Sequence, residues 1–242
     1  MALKHNNLPR FIHRFSEEIY CSLLVAMKTH PRNFFTILNA KIINYIINKR
    51  CNPETDLETK CLIKKHGILL EYFEKQYQEF IRNYSFNKNS IPEDSKYKNK
   101  IWVCWWQGYD NAPKLVQSCI ESIKKNSENN EVIIIDDNNY RKYVNIPTWL
   151  EEKKNKGIIS KTHFSDYLRL SLLSTHGGVW LDSTFFCSGP CFEDIFKLPV
   201  WSIKRPGCDH LSIAGGYFAN FSFGCDFSNR KVFAIIRDYL EE

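Results

Sequence analysis

Three short apolar runs constrain this chain more than any other feature. They are KIWVCWWQG (Lys100–Gly108), EVIIIDD (Glu131–Asp137) and HGGVWLDST (His176–Thr184). A strand with one wet face alternates apolar and polar residues, whereas a strand covered on both faces reads as a continuous apolar run. Helical patterns separate the runs. Asn111-Ala112-Pro113 places a proline at a first helical turn, and Leu115, Cys119, Ile120 and Ile123 then fall on one apolar stripe. A second helix is expected from about Lys161 to His176, with Gly177 as its C-terminal cap. Strand, helix, strand, helix, strand predicts an open α/β sheet with right-handed crossovers.

The ends of those strands are where chemistry is expected, because open α/β sheets bind ligands beyond the carboxyl ends of their strands. The ends read Trp106-Gln107-Gly108, Asp136-Asp137-Asn138 and Asp182-Ser183-Thr184. Aromatic, polar and acidic groups therefore converge on one edge. The helix before Asp182 adds Asp166 and Arg169, three apart and so on one helix face. Such a pair is either a surface ion pair worth about 0–1 kcal/mol or part of the site. Asp136 and Asp137 are likewise either ribose ligands or turn formers. His176 suits a helix C-terminus, where the dipole favours it, better than a catalytic base. The pair Gly215-Gly216 marks either a close approach to a ligand or a bulge, and it brings in Tyr217 and Asn220 as weaker candidates.

The region before Lys100 differs in texture. From about Ser16 to Tyr84 the pattern is helical, with Phe34, Leu38, Ile42, Tyr45 and Ile46 at helix spacing, and Cys61, Ile68, Tyr72 and Phe80 after them. Pro31 and Cys51-Asn52-Pro53 punctuate it, and Phe86–Lys100 reads as a polar linker. The expected organisation is a helical region over 1–85, a linker over 86–99 and an α/β domain over 100–242. The segment FFTILNAKIINYIINKR is amphipathic and basic, so its apolar face either packs on the α/β domain or lies at a membrane surface. The last residues, Asp238 to Glu242, continue a helical pattern, and part of the domain is expected beyond them.

Composition excludes several classes. A formal net charge of +6 spread among mixed charges does not indicate a dedicated nucleic-acid binder, though it suits a nucleotide or a phospholipid surface. Nine cysteines, an odd number in a chain of 242 residues, predict reduced thiols and a cytoplasmic setting rather than a disulfide framework. Cys187 and Cys191 come nearest to a metal spacing but lack a second pair. The N-terminus has no continuous apolar core of a signal peptide. No apolar run approaches the ~20 residues needed to span a bilayer. The expectation is a cytoplasmic protein, soluble or peripheral at the inner membrane face.

IWVCWWQGYDNAPKLVQSCIESIKK followed by SDYLRLSLLSTHGGVWLDST resembles the capsular polysaccharide synthesis glycosyltransferases, relatives of glycosyltransferase family 32. The resemblance covers roughly Lys100 to the end and rests on S-D-x-x-R followed by G-G-V-W-L-D-S-T. It implies a GT-A (Rossmann-like) domain and retaining, metal-dependent transfer from a nucleotide sugar, a UDP-sugar by preference, to a glycan or lipid-linked oligosaccharide. Asp182 would stand at the first aspartate of a D-x-D motif and hold Mn²⁺ or Mg²⁺. Asp166 and Arg169 would contact the donor sugar and its phosphates, Trp106 with Gln107 would meet the base, and Asn138 the nucleoside. The motif reads Asp182-Ser183-Thr184, so its second carboxylate is missing, which keeps open a non-catalytic scaffold or a membrane-surface adaptor in glycan assembly.

Overall fold

The computed structural model describes residues 8–47, 55–84, 92–190, 192–207 and 210–241. Cys51-Asn52-Pro53, the first part of the expected linker and Cys191 lie outside the described residues. Among the described residues there are eight α-helices and one five-stranded mixed sheet. The chain divides into two compact units, Met1–Tyr84 with Arg205–Tyr217, and Ser85–Lys204 with Phe218–Glu242.

The first unit is built on α1 (Leu8–Lys28), α2 (Asn33–Ile47) and α3 (Asp56–Asn83). Helix α3 starts on a capping box: the Thr55 hydroxyl accepts from the Glu58 N–H, and the Glu58 carboxylate accepts from the Thr55 N–H at 2.8 Å. Two otherwise orphaned donors are satisfied there. Val25, Ile37 and Ile68 form the buried centre, one from each helix. The expected stripe on α2 is not the buried one. Ile37 and Ala40 face inward, while Ile42, Tyr45 and Ile46 are exposed. Apolar residues all round this helix allow either phase, and the smaller Ala40 permits closer approach to its neighbours.

The second unit carries the sheet. Strands β1 (Ile101–Cys104), β2 (Val132–Ile135) and β3 (Gly178–Asp182) arise from the three apolar runs and pair in parallel, in the order β2-β1-β3. Two further strands, β4 (Val200–Ser202) and β5 (Ser222–Cys225), extend the sheet with antiparallel pairing. Both faces are covered. Trp102, Cys104 and Trp180 point to one core with α5 (Thr148–Asn155), α6 (Lys161–His176) and α8 (Lys231–Tyr239). Ile101, Val103, Val179 and Leu181 point to the other, with α4 (Lys114–Asn126) and the short α7 (Phe192–Ile195). Helix α4 buries Val116, Cys119, Ile120 and Ile123, whereas Leu115 is 71% exposed. The stripe thus begins one residue later than its spacing suggested.

Gly177 caps α6 as expected, with φ +67° and its N–H on the Leu173 carbonyl. Gly178 is the tighter position. A Cβ there would lie 2.2 Å from the Lys100 carbonyl oxygen, and one at Gly224 on β5 would lie 2.3 Å from the Gly178 oxygen. Backbone crowds this point from both neighbouring segments, and no side chain can be accommodated. Gly178→Ala is therefore expected to lower unfolding free energy by about 3 kcal/mol or more. Gly157→Ala, where a Cβ meets nothing within 4 Å, should cost only the left-handed backbone penalty of about 1–2 kcal/mol. Urea unfolding followed by circular dichroism measures both.

Candidate functional site

Ser160 caps the start of α6 by accepting from the His163 N–H at 3.2 Å, and this fixes the turn from which Asp166 and Arg169 project. Arg169 is not a surface residue. Only 5% of it is exposed, and its guanidinium joins three elements. Nη2 lies 3.1 Å from Asp166 Oδ1 on α6, and Nη1 lies 3.5 Å from Asp182 Oδ1 at the end of β3. Nη1 also donates to the Asn220 carbonyl before β5, and Nε donates to the Ser165 carbonyl at 3.3 Å. The surface-pair reading of Asp166 and Arg169 is overturned, because a cation this buried needs its partners to offset lost hydration.

Asp182 is the tip of the strand. Its N–H donates to the Phe221 carbonyl at 2.8 Å, its carbonyl accepts from the Phe185 N–H at 2.8 Å, and Oδ1 accepts from Trp180 Nε1 at 2.8 Å. The Arg169 guanidinium carbon sits 5.0 Å from the Trp180 ring centroid, a cation–π distance. Trp180 was not a sequence candidate. The signal was present, since residues two apart on a strand share a face. Both carboxylates keep access to water, with side chains 37% (Asp166) and 39% (Asp182) exposed. Burial lifts the Asp166 pKa above the usual carboxylate value, although Arg169 pulls it down.

The other strand ends lie on the same edge, since Cys104 is in register with both Ile135 and Asp182. Asp136 Oδ1 accepts from the Asn138 and Asn139 N–H groups at 2.8 and 2.9 Å, which is a turn former's geometry. A Cβ on Gly108 (φ +81°) would stand 3.6 Å from Asp136 Oδ2, so the β1 and β2 loops meet there. Burial acts to raise the Asp137 pKa, but hydrogen bonds from Lys161 (2.5 Å) and Lys154 (3.1 Å) outweigh it and leave the value lowered. Gln107 and Asn138 are exposed at this edge.

Trp106 departs from expectation. It is 9% exposed, its ring lies against Tyr140 and Phe164, and Nε1 donates to Ser165 Oγ at 2.9 Å. Lys154 Nζ stands 5.2 Å from the ring centroid. This is a core side chain with a walled ring rather than an open platform for a base. Its neighbour Trp105 is only partly buried, packs toward the opposite core, and has an indole N–H without a hydrogen-bond partner among the described residues. Gly215 and Gly216 form a left-handed turn in the segment grouped with the helices, where Tyr217 is 69% exposed. His176 is buried by aromatic neighbours, shares hydrogen bonds with Ser95 Oγ and the Tyr143 carbonyl, and has its pKa lowered by burial. It is a structural side chain.

Among the described residues no group of three or more His, Cys, Asp or Glu is placed to hold a metal ion. The six described cysteines are free thiols. Asp182, with Asp166 across Arg169, offers the hard oxygen chemistry of a Mg²⁺ or Mn²⁺ site that completes its shell on substrate phosphates, since such ions often take only one or two carboxylates from the protein. The donor set fits an ion arriving with its substrate. Among the described residues no helix is long and apolar enough to cross a membrane.

The profile of the capsular polysaccharide synthesis protein family matches residues 48–242. The chain belongs to this family. The match takes in the whole sheet and every residue of the Arg169 cluster. The chain is also similar to O-glycosyltransferase PaGT of Phomopsis amygdali, at 29% identity over 114 residues, which is 43% of this chain and 27% of that protein. It thus spans about a quarter of that relative's length. No solved structure matches the chain.

Because Asp166 has a raised folded pKa, its contribution to stability is fully present below its unfolded pKa and is lost as pH rises through the folded value. Asp166→Asn should consequently unfold at the same or higher urea concentration than wild type at pH 7, and this difference should vanish as pH falls through the raised carboxyl value. Denaturant midpoints measured across that range check the sign.

Proposed function

We propose that the chain is a glycosyltransferase that moves a sugar from a nucleotide donor, a UDP-sugar, to a capsular or related glycan or a lipid-linked oligosaccharide, with retention of anomeric configuration. The observation that carries this reading is the buried Arg169 holding Asp166 and Asp182 at the carboxyl edge of a parallel strand set. Membership of the capsular polysaccharide synthesis family and similarity to a protein named as an O-glycosyltransferase support it. So does the sheet, whose parallel β2-β1-β3 core and antiparallel extension suit a GT-A type domain.

In this reaction the bond from the anomeric carbon to the diphosphate oxygen breaks and its electron pair leaves with the nucleoside diphosphate. The acceptor hydroxyl oxygen bonds to that carbon and releases its proton. Asp182 would hold Mn²⁺ or Mg²⁺, which when bound supplies positive charge beside the departing diphosphate. Arg169 fixes the direction of both carboxylates and adds a cation that needs no reorganisation during the reaction. Asp166, half-exposed, is available to accept from a donor-sugar hydroxyl. Gln107 and Asn138, exposed beyond β1 and β2, are in reach of the nucleoside end of a ligand lying along this edge.

A scaffold without activity is the second reading, and the contact that favours it is Asp182 Oδ1, already engaged by Trp180 and Arg169. Binding and turnover separate the two. UDP-sugars should raise the melting temperature only with Mn²⁺ or Mg²⁺ present, and Asp182→Asn should abolish that rise. UDP release should fall by about a hundredfold or more in the same variant. Nucleotide binding that ignores both metal and substitution would leave the scaffold.

A further inference from the structure

Helices α1 and α2 form a hairpin that precedes the family-matched residues 48–242. Its connecting turn is well tied: the Thr29 hydroxyl donates to the Val25 carbonyl at 2.7 Å and accepts from Asn33 Nδ2 at 3.0 Å. On either side of this turn stand two of the most exposed apolar side chains of the unit, Met27 (72%) and Phe35 (68%). Each continues as an exposed apolar stripe along its own helix, with Leu23 four residues before Met27 and Ile42 seven residues after Phe35. Lys28 and Arg32, both exposed, lie between them in the turn.

The charge of this segment is one-sided. The first 53 residues hold eight Lys and Arg against Glu17 and Glu18, an excess of six that equals the formal net charge of the whole chain. Helix α2 contains no acidic residue, and its one charged side chain, Lys41, pairs with Glu18. Exposed aromatic and thioether groups flanking a basic turn combine the two terms of interfacial binding, apolar burial at the headgroup boundary and attraction to anionic lipid. A protein partner with an acidic rim would meet the same charges, but it would not need the apolar stripes to run along both helices away from the turn.

We infer that the α1–α2 hairpin docks the protein on an anionic phospholipid surface, with Met27 and Phe35 entering the headgroup layer and Lys28 and Arg32 on its phosphates. The test is sedimentation of the full chain with vesicles of equal parts phosphatidylglycerol and phosphatidylcholine, set against phosphatidylcholine alone. Anionic vesicles should bind about tenfold or more tightly, and high salt should weaken them. The double variant Met27→Ser/Phe35→Ser should lose about tenfold or more of that binding. Lys28→Ser/Arg32→Ser should lose about fivefold for each charge removed. Both should keep the wild-type melting curve, since none of the four side chains is buried. Equal binding to both vesicle types, or unchanged binding by the apolar variant, overturns the inference. So does sedimentation equilibrium showing that the apolar variant abolishes a dimer while vesicle binding stays intact.

Discussion

A guanidinium almost wholly removed from water has to be surrounded by acceptors, and the residues that surround Arg169 are the ones that define the site. Its partners come from α6, from the end of β3 and from the chain entering β5. The first two are consecutive in the chain and the third lies well beyond them, and one cation links all three. Either carboxylate can compensate the guanidinium when the other is removed, whereas removing both leaves a buried charge with no anionic partner. The same contact therefore supports the fold and aims two carboxylates at solvent. Asp166 shows the compromise: burial raises its pKa, so the ionised group is held in place at some expense of stability.

The sheet supplies the rigid frame. Gly178 and Gly224 let β3 approach Lys100 on one side and β5 on the other more closely than any Cβ permits, and Asp182 stands four residues beyond Gly178. Alternation along β3 sends Trp180 and Asp182 to the same face, where the indole N–H holds one carboxylate oxygen. The catalytic reading depends on this placement rather than on a cluster of metal ligands. A substrate that brings its own phosphates can complete a cation's shell, which makes the shortened Asp182-Ser183-Thr184 motif compatible with metal-assisted transfer.

How much of this was legible in the sequence follows from burial. Strands β1, β2 and β3 were legible because both faces are covered and their apolar runs are continuous. Strands β4 and β5 were not, since VWS and SFGC are short and include polar residues or glycine. Trp105 and Trp106 follow the end of β1 and pack toward opposite cores, and composition does not say which of the two is fully buried. Leu115 and Val116 differ by one residue of helical phase, and α2 is apolar on every side, so spacing alone could not choose the buried face. Asp166, Arg169 and Asp182 were legible as candidates. Their union was not, because Arg169 also needs Trp180 and the Asn220 carbonyl, a contact that depends on tertiary approach.

The central claim is that Arg169 couples Asp166 to Asp182, and a double-mutant cycle on unfolding free energy tests it most directly. With either carboxylate replaced by asparagine, the guanidinium keeps one charged partner; with both replaced, it is buried without one. Asp166→Asn/Asp182→Asn should be less stable than the sum of the two single effects predicts by about 1–3 kcal/mol. Additive losses would mean that the two carboxylates do not share the arginine, and would contradict the account.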